Sequence, residues 1–115
     1  MSTLSITVPL RTVSAANMRE HHMARAKRVK AERWAVGVHL NRYKPPTMPC
    51  VVMLGRVSKA YRMLDDDNLR GALKAVRDEV ARWLGVDDGD DRVIWRYAQK
   101  CGCIEWGVVI VVGPV

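Results

Sequence analysis

Apolar and polar residues alternate at the start of the chain. In "LSITVPL", Leu4, Ile6 and Val8 fall on one side, the two-residue period of a strand, and Pro9 ends the pattern. A polar connection follows. Asn17 and Glu20 then stand in capping-box relation ahead of a long helical segment running to about Val36. That segment carries Arg19, Arg25, Lys27, Arg28, Lys30 and Arg33, which predicts a surface helix docked by one narrow face. "NRYKPPT" breaks the pattern with two prolines and predicts a loop.

"PCVVMLGRVS" is a valine-rich apolar run of strand length, and it is expected to continue extended through "KAYRML" into "DDDN". From Leu69 the period changes. Leu69, Leu73, Val76, Val80, Trp83 and Leu84 form a stripe at helical spacing, predicting a helix over 68–84 with Gly85 as its stop. "DRVIWRYAQK" and "EWGVVIVVGPV" read as two strands joined by Cys-Gly-Cys, a hairpin. The order strand, helix, strand, helix, strand, strand predicts an α/β fold. It is a single two-layer domain over residues 1–115, with a mixed β-sheet and two main helices.

At 115 residues the chain can bury one core and is too short for two. It has no uninterrupted apolar run of about 18 residues, so no membrane span is expected. "MSTLSITVPL" lacks the basic-then-apolar signature of a secretory signal. Three cysteines, Cys50, Cys101 and Cys103, are an odd and small set that suits a reducing, cytoplasmic setting. Cys101 and Cys103 could ligate zinc with Cys50 and His39, but a paired C-x2-C pattern is missing, and small buried or strand cysteines are the expectation.

Charge divides the chain. Residues 1–60 carry eleven Lys/Arg against Glu20 and Glu32, a net of +9, and residues 61–115 carry eight against ten acids, a net of −2. These sum to the formal +7 of the whole. A basic surface attracts polyanions, nucleic acid above all. The plainer reading is a solvated helix face.

The acids gather in two clusters. If the first is extended, Asp65 and Asp67 share a face and Asp66 points the other way, giving a carboxylate pair suited to Mg²⁺. Asp67 or Asn68 is also expected to cap the following helix. The second cluster, Asp87, Asp88, Asp90 and Asp91, lies in a glycine-containing loop that lacks the calcium-loop pattern and alone would be a solvated turn. With the first cluster it offers a third carboxylate. Lys74 and Asp78 are neighbours on one helix face: ordinarily a surface ion pair, functionally an ammonium beside a scissile phosphate.

At these residues the sequence resembles the RusA-type Holliday junction resolvases. The matches are D-x-D-N-L at Asp65, Asp67, Asn68 and Leu69, then Lys74 and Asp78, then Gly85, Asp87 and Asp88, then the strand ending at Lys100. "ITVP" with Asn17 after it is similar to the family's start. The resemblance implies a Mg²⁺-dependent crossover junction endodeoxyribonuclease that cuts four-way DNA junctions in recombination and repair. It implies Asp65, Asp67, Asp88 and Lys74 as catalytic residues, and Asp65, Asp67, Asp87 and Asp88 as metal ligands. The chain departs from the pattern in a longer spacing from Asp67 to the Asp pair and in Gly71, where a lysine often follows the motif. "DDGDD" leaves Asp88 or Asp91 as the third acid, and "LRTVSAA" replaces the proline-rich residues common after the first strand.

A helix over 68–84 would span about 25 Å and hold the two clusters apart. This predicts a two-fold homodimer with antiparallel helices, in which the acids of one chain meet those of the other. Arg56, Lys59 and Arg62, with Arg25, Lys27 and Arg28 of the basic helix, are expected to contact the DNA backbone. The alternatives are a DNA-binding protein without catalysis and a prophage interaction protein whose basic helix meets an acidic partner.

Overall fold

The computed structural model describes residues 3–14 and 21–115. The Asn17/Glu20 capping box lies outside the described residues. The elements in chain order are β1 (Leu4–Val8), α1 (His22–Leu40), β2 (Cys50–Val57), α2 (Asp66–Ala72), α3 (Lys74–Leu84), β3 (Val93–Lys100) and β4 (Gly107–Pro114). They form a two-layer α/β domain with one mixed sheet in the order β1-β4-β2-β3. β2 and β3 are parallel, joined by the α2–α3 crossover, while β4 runs antiparallel to both β1 and β2.

Strand alternation places the core. Ile6, Val8, Cys50, Val52, Leu54, Val93, Val108, Ile110 and Val112 share one cluster with Val36, Leu40, Leu69, Leu73, Val76, Val80, Trp83 and Leu84 of the helices. In register, Ile6 lies beside Ile110, which lies beside Leu54, which lies beside Tyr97, so these strand residues all stand on one face of the sheet. The helical stripe expected from Leu69 to Leu84 is buried as a whole.

The strand pairing differs from a hairpin of β3 and β4. β3 pairs only with β2 and forms an edge, its residues alternating between more and less buried positions. β4, apolar on both sides through "GVVIVV", lies between β1 and β2. The Cys-Gly-Cys segment turns at Gly102 (φ 67°) and bonds back to the chain leaving β2, with Gly102 N–H on Ala60 O and Cys103 N–H on Ser58 O.

Three further boundaries are corrected. α1 continues to Leu40, where the Asn41 N–H bonds Gly37 O, and its buried residues, Glu32, Val36, Gly37 and Leu40, fall in its second half. β2 stops at Val57, so "KAYRML" is not strand. The helix expected over 68–84 is two helices, three among the described residues with α1, because Leu73 leaves helical geometry at φ −100°, ψ 7°. Gly71, in the last turn of α2, weakens helix continuity by about 1 kcal/mol relative to alanine. Gly85 ends α3 in the left-handed region at φ 77°, its N–H returning to Ala81 and Arg82 carbonyls.

The helices are tied by charge as well as by apolar contact. Glu79 of α3 is buried and receives Arg33 Nε from α1 at 3.2 Å and Arg82 at 2.6 Å. Gly37 makes this approach possible, since a Cβ there would sit 2.7 Å from Glu79 Oε2. No helix among the described residues is long and apolar enough to cross a membrane.

Candidate functional site

The segment after β2 is held in place from two sides before it reaches the first acids. Gln99, near the end of β3, donates to Leu64 O at 2.8 Å and accepts from Leu64 N–H at 3.0 Å. This pair of hydrogen bonds fixes the entry to α2. Asp65 is then the N-cap, extended at φ −68°, ψ 172°. Its Oδ1 accepts from Asn68 N–H at 2.8 Å and its Oδ2 from Asn68 Nδ2 at 3.1 Å. Asn68 Oδ1 in turn accepts from Ser14 Oγ at 2.8 Å. The cap is therefore Asp65, not Asp67 or Asn68.

Asp66 and Asp67 lie in the first helical turn, where the helix dipole favours negative charge. This replaces the alternation expected of an extended chain: Asp65 turns its carboxylate to Asn68 as the cap, and Asp67 stands two residues on in the first turn. Asp66 is engaged by Arg70 at 3.6 Å. Asp67 is exposed, with no hydrogen bond or ion pair among the described residues.

The second cluster does not stay a helix length away. After Gly85 the chain runs back along α3, so that Arg77 donates to Asp88 O and Lys74 Nζ lies 3.8 Å from Asp88 Oδ2. The same ammonium lies 3.3 Å from Asp78 Oδ1. Asp90 is spent on Arg92, taking its backbone N–H at 2.9 Å and its guanidinium at 3.0 and 2.8 Å. Those Arg92 hydrogen bonds hold the Asp90 carboxyl well below the usual range, at about 2. Of the four loop acids, Asp88 is the one whose carboxylate reaches Lys74.

Arg70, Gly71, Lys74, Arg77, Asp88 and Tyr97 line an open cavity of about 350 Å³. Its wall on β3 is aromatic. Arg77 lies over Trp95 at 4.5 Å from the ring centre and donates to Tyr97 Oη at 3.0 Å, and Arg70 lies over Tyr97 at 5.3 Å. Gly71 has nothing within 4 Å of a Cβ position, so the cavity stays open above α2. The sequence pattern singled out neither Arg70, Arg77 nor Tyr97. The signal was present in the helical spacing of Arg70, Lys74 and Arg77, which places all three on one side of the crossover.

Asp65, Asp67, Asp87 and Asp88 do not form a closed ligand set here. Among the described residues, no three His, Cys, Asp or Glu side chains gather to hold a metal ion. The donor chemistry still suits a hard cation that keeps most of its waters. Mg²⁺ is commonly held by one or two carboxylates plus substrate phosphates, and Asp67, unengaged beside Asp65, is such a carboxylate.

Of the basic residues expected to meet DNA, Lys27, Lys59 and Arg62 are exposed, and so is Arg25. Arg28 is partly buried and pairs with Glu32 at 3.0 Å. Arg56 is a correction. It is 6% exposed, donates to Thr12 Oγ1 at 3.1 Å, and has its guanidinium 5.5 Å from the Trp106 ring centre, so it offers no surface to a duplex. Burial pushes its pKa down. Cys50 is buried, which raises its thiol pKa, and Cys101 and Cys103 donate weakly to backbone carbonyls of Arg62 and Lys100. His39 bonds Ala35 O.

No family model matches the chain, and no curated protein matches it.

Proposed function

We propose that the chain is a metal-dependent endodeoxyribonuclease of the RusA type, cutting branched DNA in the cytoplasm with Mg²⁺ as cofactor. The observation that carries this reading is the return of Asp88 to Lys74 within one chain, on the crossover whose first helix starts at Asp65 and Asp67. A loop acid drawn to a lysine at the head of α3, next to an open basic cavity, fits a site that meets a phosphodiester.

Asp67, with the oxygen lone pairs of Asp65 left free by its capping bonds, would hold the metal, and Asp88, held at Lys74, is the candidate third acid. Bound Mg²⁺ supplies Lewis-acid polarisation of a phosphoryl oxygen and a more acidic water. Lys74, exposed and flanked by two carboxylates, is placed to neutralise charge that builds on the phosphate. Arg70 opens the cavity to an anion, while Arg77 is committed to the Asp88 carbonyl and Tyr97 and holds the loop in place. Lys59 and Arg62, before the motif, and the basic outer residues of α1 would follow the DNA backbone. The choice of a four-way junction rests on the motif resemblance alone.

A second reading has its own support. The acids have structural uses: Asp65 caps α2, Asp66 pairs with Arg70, and Asp90 pairs with Arg92. A DNA-binding protein without catalysis would need no more than this. Purified protein incubated with an end-labelled synthetic junction separates the two. Cutting that requires added Mg²⁺ supports the nuclease. Salt-sensitive junction binding with intact strands at every Mg²⁺ concentration supports the binding protein.

A further inference from the structure

Helix α1 has two faces, and the core takes only one of them. Its buried residues are Glu32, Val36, Gly37 and Leu40, and Arg28 and Val29 line a groove shared with Lys74 and Ala75 of α3. At about 3.6 residues per turn, the opposite side carries Met23, Lys27, Lys30, Trp34 and Val38 in one row. All five are exposed. Met23 is 68% exposed and Trp34 72%. Single exposed apolar residues are ordinary, whereas three in one row on one helix face mark a contact surface.

The charge around the indole says what covers it. Among the described residues of α1 the one acid is Glu32, which is buried and pairs with Arg28 at 3.0 Å. Arg33 is drawn to Glu79. Lys27 and Lys30 have no hydrogen bond or ion pair among the described residues. With Ala31 and Trp34 they line an open recess of about 360 Å³. Ala31, one turn from both Lys27 and Trp34, contributes only a methyl and leaves that recess open.

Two ammonium groups and one exposed ring, with no carboxylate between them, suit a ligand that is anionic at its edge and flat at its centre. A nucleotide meets both demands, its base stacking on the ring and its phosphates meeting the lysines. The base has to be unpaired, because in a duplex the base faces are already stacked on one another. Lys30 and Lys27 stand about 6 and about 10 Å from Trp34 along the axis, a reach that takes in phosphates on successive nucleotides of one strand. An acidic peptide would answer the lysines but offers no flat ring. A helix lying on a membrane keeps its charges off the apolar stripe, whereas here both lysines interrupt it.

We propose that the outward face of α1 binds single-stranded nucleic acid, with one unpaired base stacked on Trp34 and the neighbouring phosphates held by Lys27 and Lys30. This face lies on the far side of α1 from Lys74, so it is a second site and not an extension of the acid–lysine cavity. It needs neither metal nor cutting, and it stands whether or not the nuclease reading does. Beside a DNA-cutting site it would favour substrates that carry a single-stranded tail or gap.

Trp34 reports on its own occupancy, since of the four tryptophans it is the exposed one. Oligo(dT) and oligo(rU) of about 12 nucleotides, within the site size of single-strand binders, should quench the emission of the full chain. The tighter of the two names the strand. Trp34→Ala should weaken binding about tenfold or more, with circular dichroism unchanged. Trp34→Phe keeps a stacking ring and should bind within about threefold of wild type while losing the quenching. An abasic oligomer has the phosphates without the bases, and wild type should bind it as weakly as Trp34→Ala binds the intact strand. Replacing Lys27 and Lys30 with alanine should flatten the slope of log affinity against log salt by about 1.4, at about 0.7 per phosphate.

A wild type that binds neither oligomer at low salt overturns the proposal, and so does binding that Trp34→Ala leaves equally tight. Equal weakening of single strand and blunt duplex overturns it too, as does displacement by polyglutamate or phosphatidylserine vesicles as effective as by unlabelled oligomer. A junction left uncut by wild type in Mg²⁺ would end the nuclease reading and leave each of these measurements standing.

Discussion

The Lys74 ammonium stands 3.8 Å from Asp88 Oδ2, although the whole of α3 separates the two residues in the chain. The contact exists because Gly85 reverses the chain and Arg77 takes the Asp88 carbonyl, so the loop retraces the helix it has just left. It brings one acid of the second cluster back to the lysine at the head of α3 and into the wall of one cavity.

As an exposed ion pair this contact adds little stability, of the order of 0–1 kcal/mol. Asp88→Asn and Lys74→Ala should therefore unfold in urea within about 1 kcal/mol of wild type. Cleavage should respond differently. Loss of a charge that meets the transition state typically costs about 10²- to 10³-fold in rate, and single-turnover cutting should fall by that much for Lys74→Ala. Equal, small effects on both readouts would mark the pair as surface decoration.

Asp65 allows capping and metal binding to be separated. Asn caps a helix as well as Asp, whereas Ala loses about 1 kcal/mol. Asp65→Asn is expected to keep the thermal midpoint and lose Mg²⁺-dependent cutting; Asp65→Ala should lose both. If Asp65→Asn cuts at the wild-type rate, the carboxylate serves only the helix.

Gly37→Ala tests the joint between α1 and α3. The added methyl would lie 2.7 Å from Glu79 Oε2, and moving that carboxylate disturbs its bonds to Arg33 and Arg82. A loss of about 1–3 kcal/mol in urea unfolding is expected, despite alanine's better helix propensity. A more stable variant would contradict the packing described.

Asp90 gives a pH signature. Its carboxyl titrates at about 2 in the folded chain, below the ~3.9 of an unfolded aspartate. The stabilisation of the Asp87–Arg92 turn is thus complete above about pH 4 and is lost as the pH falls through about 2. A carboxyl NMR titration should place Asp90 at about 2, and Arg92→Ala should return it to the ordinary range.

Local pattern was enough to find all four strands and the buried stripe of α2 and α3, because strand alternation and helical spacing are written in neighbouring residues. Pairing was not. "IWRYAQK" and "GVVIVV" lie next to one another in sequence, yet β4 passes to the far side of β2, and the clue was that β4 is apolar on both faces while β3 alternates. The split at Leu73 turns on one glycine two residues earlier, which periodicity does not register. The acids and Lys74 were legible as residue types at a spacing. That Asp88, and not Asp91, meets Lys74 depends on where Arg77 holds the loop. Arg56 was misjudged as surface because a basic residue at the end of an apolar strand gives no sign that Thr12 and Trp106 enclose it.

The most direct test compares wild type with Asp67→Asn on one labelled four-way junction, reading binding and strand cutting in the same samples. Asp67 caps nothing and pairs with nothing among the described residues, so its neutralisation costs the fold only its dipole interaction, about 0.3–1 kcal/mol. The account predicts junction binding retained, and cutting that is Mg²⁺-dependent in the wild type and abolished in the variant. Equal cutting by both proteins, or none by either with Mg²⁺ present, would contradict it.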